Sequence, residues 1–153
     1  MNSDNRYDSL IAYYSSMKQI DWLLLKAQIK AESAFNPDAV SPVGAMGLCQ
    51  FMPGTWKEWE DGTPGIQPVQ VGAKLIDPRD PEDAIQAQAF YMRWLLDLFA
   101  GDEQKTLAAY NWGPTNVRKA VQAKGAEWSS LLPDETQKYV ARIQQYKREY
   151  KGL

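Results

Sequence analysis

Asp21-Trp-Leu-Leu-Leu-Lys-Ala-Gln-Ile-Lys-Ala-Glu-Ser33 is the stretch on which the reading of this chain turns. Trp22, Leu25 and Ile29 recur at the spacing of a helix face turned toward a core, and Asp21 just before them has the side chain of an N-cap. The spacing predicts a helix over Trp22–Ser33. Asn36-Pro37 ends it, because the residue before a proline disfavours helical backbone. Continued, the apolar stripe lands on Glu32. A carboxylate on a buried face is costly, and both desolvation and the negative end of the helix dipole favour its protonated form. A carboxylic acid held protonated near neutral pH is what general-acid cleavage of a glycoside needs. Periodicity alone leaves a blander reading open, in which Glu32 pairs with an arginine or frays into solvent.

Helical patterns continue on either side. Tyr7, Leu10, Ile11 and Tyr14 form an amphipathic stripe, with Asp4 as its expected cap. Seven of nine prolines and six of ten glycines fall between Pro37 and Pro81, so this middle segment should be mainly loop. Within it a short helix is expected near Thr55–Trp59, capped by Thr55, and a short strand at Val69-Gln70-Val71. Asp80-Pro81-Glu82-Asp83 then supplies a cap, a proline at the first helical position and acidic residues in the first turn. That helix carries the stripe Ile85, Ala89, Met92, Leu96, Phe99, and Gly101 stops it. Further helices are predicted over Glu103–Asn111 ending at Gly113, over Pro114–Lys124 ending at Gly125, and from Pro133 to about Tyr150. The expected fold is one mainly-α domain over residues 1–153, with a loop-rich middle and at most a minor β element.

Composition removes several classes of chemistry. The chain has 153 residues, 44% of them hydrophobic, and a net charge of -2; its mean hydropathy is -0.50 and its pI about 5.2. It lacks the basic excess of a nucleic-acid binder. Histidine is absent and Cys49 is the single cysteine. A zinc hydrolase needs several His or Cys ligands, and a Ser-His-Asp or Cys-His enzyme needs an imidazole. No metal or other cofactor is therefore expected, and the chemistry falls to carboxylates, amides, hydroxyls and phenols. Cys49, between Leu48 and Gln50, reads as a buried small hydrophobe. The first residues show no basic stretch followed by an apolar run, and no apolar run approaches the ~20 residues of a membrane span.

Four blocks change the weight given to Glu32. They are Glu32-Ser33, Ser41-Pro-Val-Gly-Ala-Met-Gly-Leu-Cys-Gln-Phe-Met-Pro53, Ala108-Ala-Tyr-Asn-Trp-Gly113 and Glu135-Thr-Gln-Lys-Tyr-Val140. In this order they resemble the catalytic domain of the soluble lytic transglycosylases, relatives of goose-type lysozyme, over about residues 21–140. The resemblance implies a lysozyme-like fold acting on peptidoglycan glycan strands. Glu32 would protonate the oxygen between N-acetylmuramic acid and N-acetylglucosamine, then take the proton of the muramic C6 hydroxyl as a 1,6-anhydro ring closes. One carboxyl then suffices where ordinary glycosidases need two.

The same resemblance assigns substrate-side roles. Ser41 matches a serine facing the muramic residue, or is a plain loop serine. Gln50 matches a glutamine that bonds substrate or orients Glu32. Met52 lines the cleft or packs in the core, and Ser33 is a site residue or merely a helix end. Tyr110 and Asn111 match a cleft pair whose amide suits an N-acetyl group. Tyr139 matches a tyrosine whose phenol reaches the acid. Glu135, four residues earlier on the same face, binds substrate peptide or caps its helix. Gly44 and Gly47 read as turn residues. Cys49 stands where methionine is usual, a shorter apolar side chain. Trp56, Trp59 and Trp112 are better placed in the core than in sugar subsites. Asp38 and Asp61 match no catalytic position.

Two alternatives remain: a goose-type hydrolase using water as acceptor, and a silent peptidoglycan-binding module. The expected place of action is the cell wall or periplasm. It would be reached by lysis, by a phage virion or through a secretion apparatus, these being the expected partners besides the glycan.

Overall fold

Three helices of the chain begin at an aspartate whose carboxylate accepts from the backbone two or three residues on. Asp21 accepts from Leu23 N at 3.0 Å, Asp80 from Asp83 N at 3.0 Å and Asp102 from Lys105 N at 3.0 Å. Each satisfies a donor that the first helical turn leaves unpaired. The computed structural model describes residues 3–61 and 77–153. After a 3₁₀ turn at Ser3–Asn5 come α1 (Asp8–Met17), α2 (Trp22–Ser33), α3 (Pro53–Glu60), α4 (Pro81–Leu98), α5 (Glu103–Trp112) and α6 (Pro114–Lys124). A 3₁₀ stretch at Gly125–Leu131 leads to α7 (Asp134–Tyr150). The mainly-α expectation holds, with β structure among the described residues limited to the isolated bridges Val40–Met46 and Met46–Phe51. The strand expected at Val69-Gln70-Val71 lies outside the described residues.

α2 is the centre of the packing. Leu24, Leu25, Lys26, Ala27, Gln28 and Ile29 are all buried, so the helix is enclosed on most sides and not along one stripe. α7 packs along it most extensively and α1 covers another face, while α4 joins α1 and α5. The buried ammonium of Lys26 is matched by Asp8 at 2.9 Å and Asn5 Oδ1 at 2.8 Å, and lies over the rings of Trp22 and Tyr150. A buried cation is tolerated only with such partners.

Asp4 does not cap α1. Its carboxylate instead accepts from Lys30 Nζ at 3.0 Å and from the Tyr150 hydroxyl at 3.0 Å, which ties the start of the chain to α2 and α7. Tyr7 occupies the N-cap position without a side-chain bond. The short helix of the middle segment starts at Pro53 with Met52 as N-cap, three residues before the cap expected at Thr55. Proline at the first helical position already has the right φ and no N–H to satisfy.

α2 ends at Ser33, where the spacing places its end, and its stop is formed before Asn36-Pro37 is reached. Ala34 and Phe35 both take left-handed backbone, φ 50° and 64°, at a cost of about 1–2 kcal/mol each. The reversal turns Phe35 into the core, where burial of its ring returns roughly 1.5–3 kcal/mol. At the end of α4 the predicted stop is present. Gly101, φ 82°, donates its N–H to Leu96 O at 2.8 Å, the closing bond of a Schellman turn. Of the predicted α4 stripe, Ile85, Ala89, Met92 and Leu96 are buried and Phe99 is half-buried.

The loop after α2 is a tight backbone construction. Gly47 N donates to Ala39 O at 2.9 Å, Ser41 N to Ala45 O at 2.9 Å, and Met46 and Phe51 exchange bonds at 3.0 and 3.2 Å. Gly47 has φ +83°, and a Cβ there would overlap the Pro78 carbonyl. Gly44 has φ +93° with open space around it. Gly44→Ala should therefore cost only the backbone strain, about 1–2 kcal/mol. Gly47→Ala should add the displacement of Pro78 and cost roughly 2–4 kcal/mol. Urea unfolding of both variants checks this, and equal losses would show that the Pro78 contact is unimportant.

Candidate active site

Glu32 lies in the last turn of α2, on the extension of Leu25 and Ile29. Protein packs densely around its carboxyl, yet the residue is only half-buried and keeps a path to solvent. Burial pushes its pKa up to about 8. A hydrogen bond from the Tyr139 phenol works against that rise, and the negative charge of Glu135 adds to it. A pKa near 8 keeps the carboxyl protonated at neutral pH, as a proton donor must be. The paired-with-arginine alternative is not what the structure contains.

α7 brings Tyr139 and Glu135 to this end of α2. Tyr139 is buried, and burial raises its phenol well above the ordinary tyrosine value, with the charge of Glu32 adding to the effect. It remains a neutral donor throughout the working range. Glu135 is exposed in the first turn of α7, where a negative charge suits the helix dipole. No side-chain bond caps that helix.

The remaining neighbours of Glu32 come from the loop and from α5. Cys49 is fully buried, and burial together with Glu32 raises its thiol well above the usual range. It is an inert small hydrophobe, as its setting in the sequence suggested. The Tyr110 hydroxyl donates to Cys49 O at 2.9 Å, and the electrostatic influence of Glu32 reaches its phenol. Behind it Phe51, Trp56, Tyr91 and Tyr110 pack edge-on or tilted, which holds the loop against α4 and α5. Trp56 and Trp59 are core residues, and Trp112 is half-buried against the core.

Other expected site residues bond chiefly within the loop. Ser33 Oγ reaches Leu48 O at 2.8 Å, which ties the loop to the end of α2. Ser41 Oγ accepts from Ala45 N at 3.0 Å and leaves its hydroxyl proton as the group not used by that bond. Gln50, in left-handed backbone with φ 51°, donates its amide to Ala39 O at 3.1 Å and Gly47 O at 2.9 Å. Its NH₂ therefore braces the loop rather than orienting Glu32. Met52 is 42% exposed, which removes the core-packing reading. Asn111 is exposed at the end of α5. The Thr136 hydroxyl donates to its Oδ1 at 2.8 Å, so its NH₂ is the end left for another acceptor.

Sequence reasoning missed Gln28, Gln88 and Thr136. All three are buried and polar, with exposures of 0%, 0% and 2%. Gln28 sits one turn before Glu32, and Gln88 interrupts the Ile85–Met92 stripe. A polar side chain at a core register position was the available signal. Among the described residues no group of three or more His, Cys, Asp or Glu side chains is placed to hold a metal ion, and no helix is long and apolar enough to cross a membrane.

Comparison with known proteins identifies the family. The model of the Transglycosylase SLT domain matches residues 9–132. The soluble lytic murein transglycosylase of Escherichia coli K12 is 33% identical over 153 residues, covering 95% of this chain and 23% of that protein. The 70-kDa soluble lytic transglycosylase of Escherichia coli superimposes with a TM-score of 0.78 at 30% identity, over 97% of this chain and 25% of that one. An inactive Glu-to-Gln mutant of lytic transglycosylase Slt from Pseudomonas aeruginosa gives a TM-score of 0.80 at 28% identity, over 97% and 24%. The chain spans about a quarter of the length of these relatives. The chain belongs to the transglycosylase SLT domain family.

Proposed function

We propose that this chain is a single domain, residues 1–153, that cleaves the β-1,4 bond between N-acetylmuramic acid and N-acetylglucosamine in peptidoglycan and leaves 1,6-anhydromuramic ends. The observation that carries the reading is the protonated, half-buried carboxyl of Glu32 in a chain of this family. Its relatives are named lytic murein transglycosylases, and one of them is inactive as a Glu-to-Gln mutant.

In the proposed reaction Glu32 gives its proton to the glycosidic oxygen as the bond from that oxygen to the muramic C1 breaks. Glu32 is then a carboxylate, stabilised by the Tyr139 phenol. The C6 hydroxyl of the same sugar closes on C1, and its proton passes to Glu32, which returns to its starting state. No water is consumed. The C6 hydroxyl has the effective-concentration advantage of an intramolecular nucleophile. In this reading the Asn111 amide meets an N-acetyl carbonyl, while the Ser41 hydroxyl, Tyr110, Gln50 and Met52 take the substrate contacts that the family match gives them. Hydrolysis is the second reading, and it draws on Glu135, whose negative charge acts on Glu32 and which would serve as the second carboxylate of a lysozyme-type mechanism.

Glu32→Gln should fold and lose activity by at least roughly a hundredfold, since general acid–base catalysis commonly supplies that much. Turbidity loss of purified sacculi measures it, and a variant with native-like melting that keeps a tenth of the rate would remove Glu32 from the role of acid. Mass spectrometry of the muropeptides should give products lighter by one water and unchanged by borohydride. Mainly reducible muramic ends would favour the hydrolase.

The raised pKa has a consequence for stability as well. Unfolded Glu32 ionises near 4.5, whereas the folded carboxyl holds its proton to about 8. Between these values the folded state binds the extra proton, so this group makes stability fall as pH rises. The advantage of Glu32→Gln over the parent chain should grow across that window by up to roughly 1.4 kcal/mol per pH unit and level off above it. Urea unfolding from pH 4 to 9 checks this. A flat difference would mean that Glu32 ionises normally; with the raised pKa, activity should fall as pH passes about 8.

A further inference from the structure

Leu25 O, a helix carbonyl at the centre of the molecule, can only accept hydrogen bonds. The group facing it at 3.3 Å is Nε2 of Gln88. That fixes which end of the Gln88 amide is nitrogen. The same Nε2 also donates to Gln28 Oε1 at 2.8 Å, which fixes the Gln28 amide in turn. Gln28 Nε2 is left to donate to the Tyr139 hydroxyl oxygen at 3.0 Å. Reversing Gln88 would set its oxygen against the oxygens of Leu25 and Gln28, and reversing Gln28 would set two NH₂ donors against each other. The Tyr139 oxygen accepts from Gln28, which leaves its single proton for another acceptor, and the carboxyl with which the phenol interacts is that of Glu32.

We propose that Gln28 is a positioning residue: held in one orientation by Gln88, it donates to the Tyr139 oxygen and so commits the Tyr139 proton to Glu32. This rests on the reading of Glu32 as acid and base. Accepting a hydrogen bond makes a hydroxyl a better donor, so Gln28 strengthens the bond that stabilises the Glu32 carboxylate after it has given up its proton.

The arrangement is costly as pure structure. Gln28 and Gln88 are fully buried where apolar side chains would pack, and Gln88 Oε1 has no hydrogen-bond partner among the described residues. A buried unsatisfied carbonyl typically costs about 1–3 kcal/mol. Local rules broken in a core without a stability gain point to a functional site. The amide pair aims one donor, Gln28 Nε2, at the Tyr139 hydroxyl, and the orphaned Gln88 carbonyl is the cost of holding it there.

The test uses Gln28→Met and Gln88→Met, which keep length and volume and remove the amides. The titration of Glu32 is followed in the full chain by ¹³C NMR of its side chain, together with the pH profile of sacculus lysis. The groups that act on Glu32 are Tyr139 and Glu135 from α7, Cys49 from the loop and Tyr110 from α5. α1 meets α2 through the Asp8–Lys26 pair instead. All of these remain in both variants. Gln28→Met should move the Glu32 midpoint upward by about half a unit, and kcat should fall several-fold with little change in KM.

Gln88→Met should move the midpoint the same way with Gln28 untouched, and the double variant should move it no further than Gln28→Met alone. In a Tyr139→Phe background Gln28→Met should have no effect on the midpoint. An unmoved midpoint in a natively melting Gln28→Met would overturn the proposal and leave Gln28 as packing. So would a shift that persists without the Tyr139 hydroxyl. Because the NMR midpoint needs no substrate, it separates a failure of this relay from a failure of the transglycosylase reading, which the muropeptide products decide.

Discussion

The removal of one carboxyl group from water is the constraint on which the site depends. Glu32 holds its proton to about pH 8 because the protein crowds around its carboxyl at the end of α2. A helix buried along one stripe would have left the end of α2 in solvent. Here α2 is covered by α1 and α7, and Lys26 on its flank is paired with Asp8 and hydrogen-bonded to Asn5 so that the enclosure can close. The ties from Asp4 to Lys30 and Tyr150 hold the first residues on the same surface. Much of the scaffold's polar bonding therefore serves to enclose the helix that carries the acid.

The loop after α2 divides its side chains between architecture and cleft. Ser33 and the Gln50 amide spend hydrogen bonds on loop carbonyls, and Tyr110 spends its proton on the carbonyl of Cys49. Gly47 lets the loop pass against Pro78. These contacts hold a backbone with little regular secondary structure as firmly as a strand pair would. Residues such as Met52, Asn111 and Glu135 remain on the open side. Under the proposed reaction a firmly held loop after α2 would serve positioning, because small misplacements of reacting atoms are expensive in rate.

Most of the helices were legible in the chain because their signals are local. Asp21, Asp80 and Asp102 announce helix starts, while Gly101, Gly113 and Gly125 mark ends, and each requires only a few neighbouring residues to act. The misplaced features each depend on distant partners. Asp4 looks like a cap until Lys30 and Tyr150 claim its carboxylate, and the left-handed Ala34 and Phe35 make sense only once the core receives the Phe35 ring. Glu32 was legible as an anomaly on an apolar stripe, and family resemblance supplied the rest of its setting. Gln28 and Gln88 are anomalies of the same kind. They carry no charge, so a periodicity argument that searches for carboxylates passes over them. Their meaning lies in the direction of three hydrogen bonds, and direction is a property of tertiary structure.

Under the proposed reaction a single group has to be an acid before bond cleavage and a base immediately after it. These demands pull its pKa in opposite directions. Burial alone would satisfy the first and defeat the second, since a strongly desolvated carboxylate is too costly to form. A carboxylate given several strong donors would satisfy the second and arrive unprotonated. The structure places one neutral donor, Tyr139, against the desolvation. Because burial also raises the Tyr139 phenol, its proton stays on oxygen while it supports the carboxylate. The result is a carboxyl poised near 8, close enough to neutrality for both proton transfers. On this view the strength of one phenol hydrogen bond sets the balance between the two halves of the cycle, which is why the groups behind that phenol matter to an acid they do not touch.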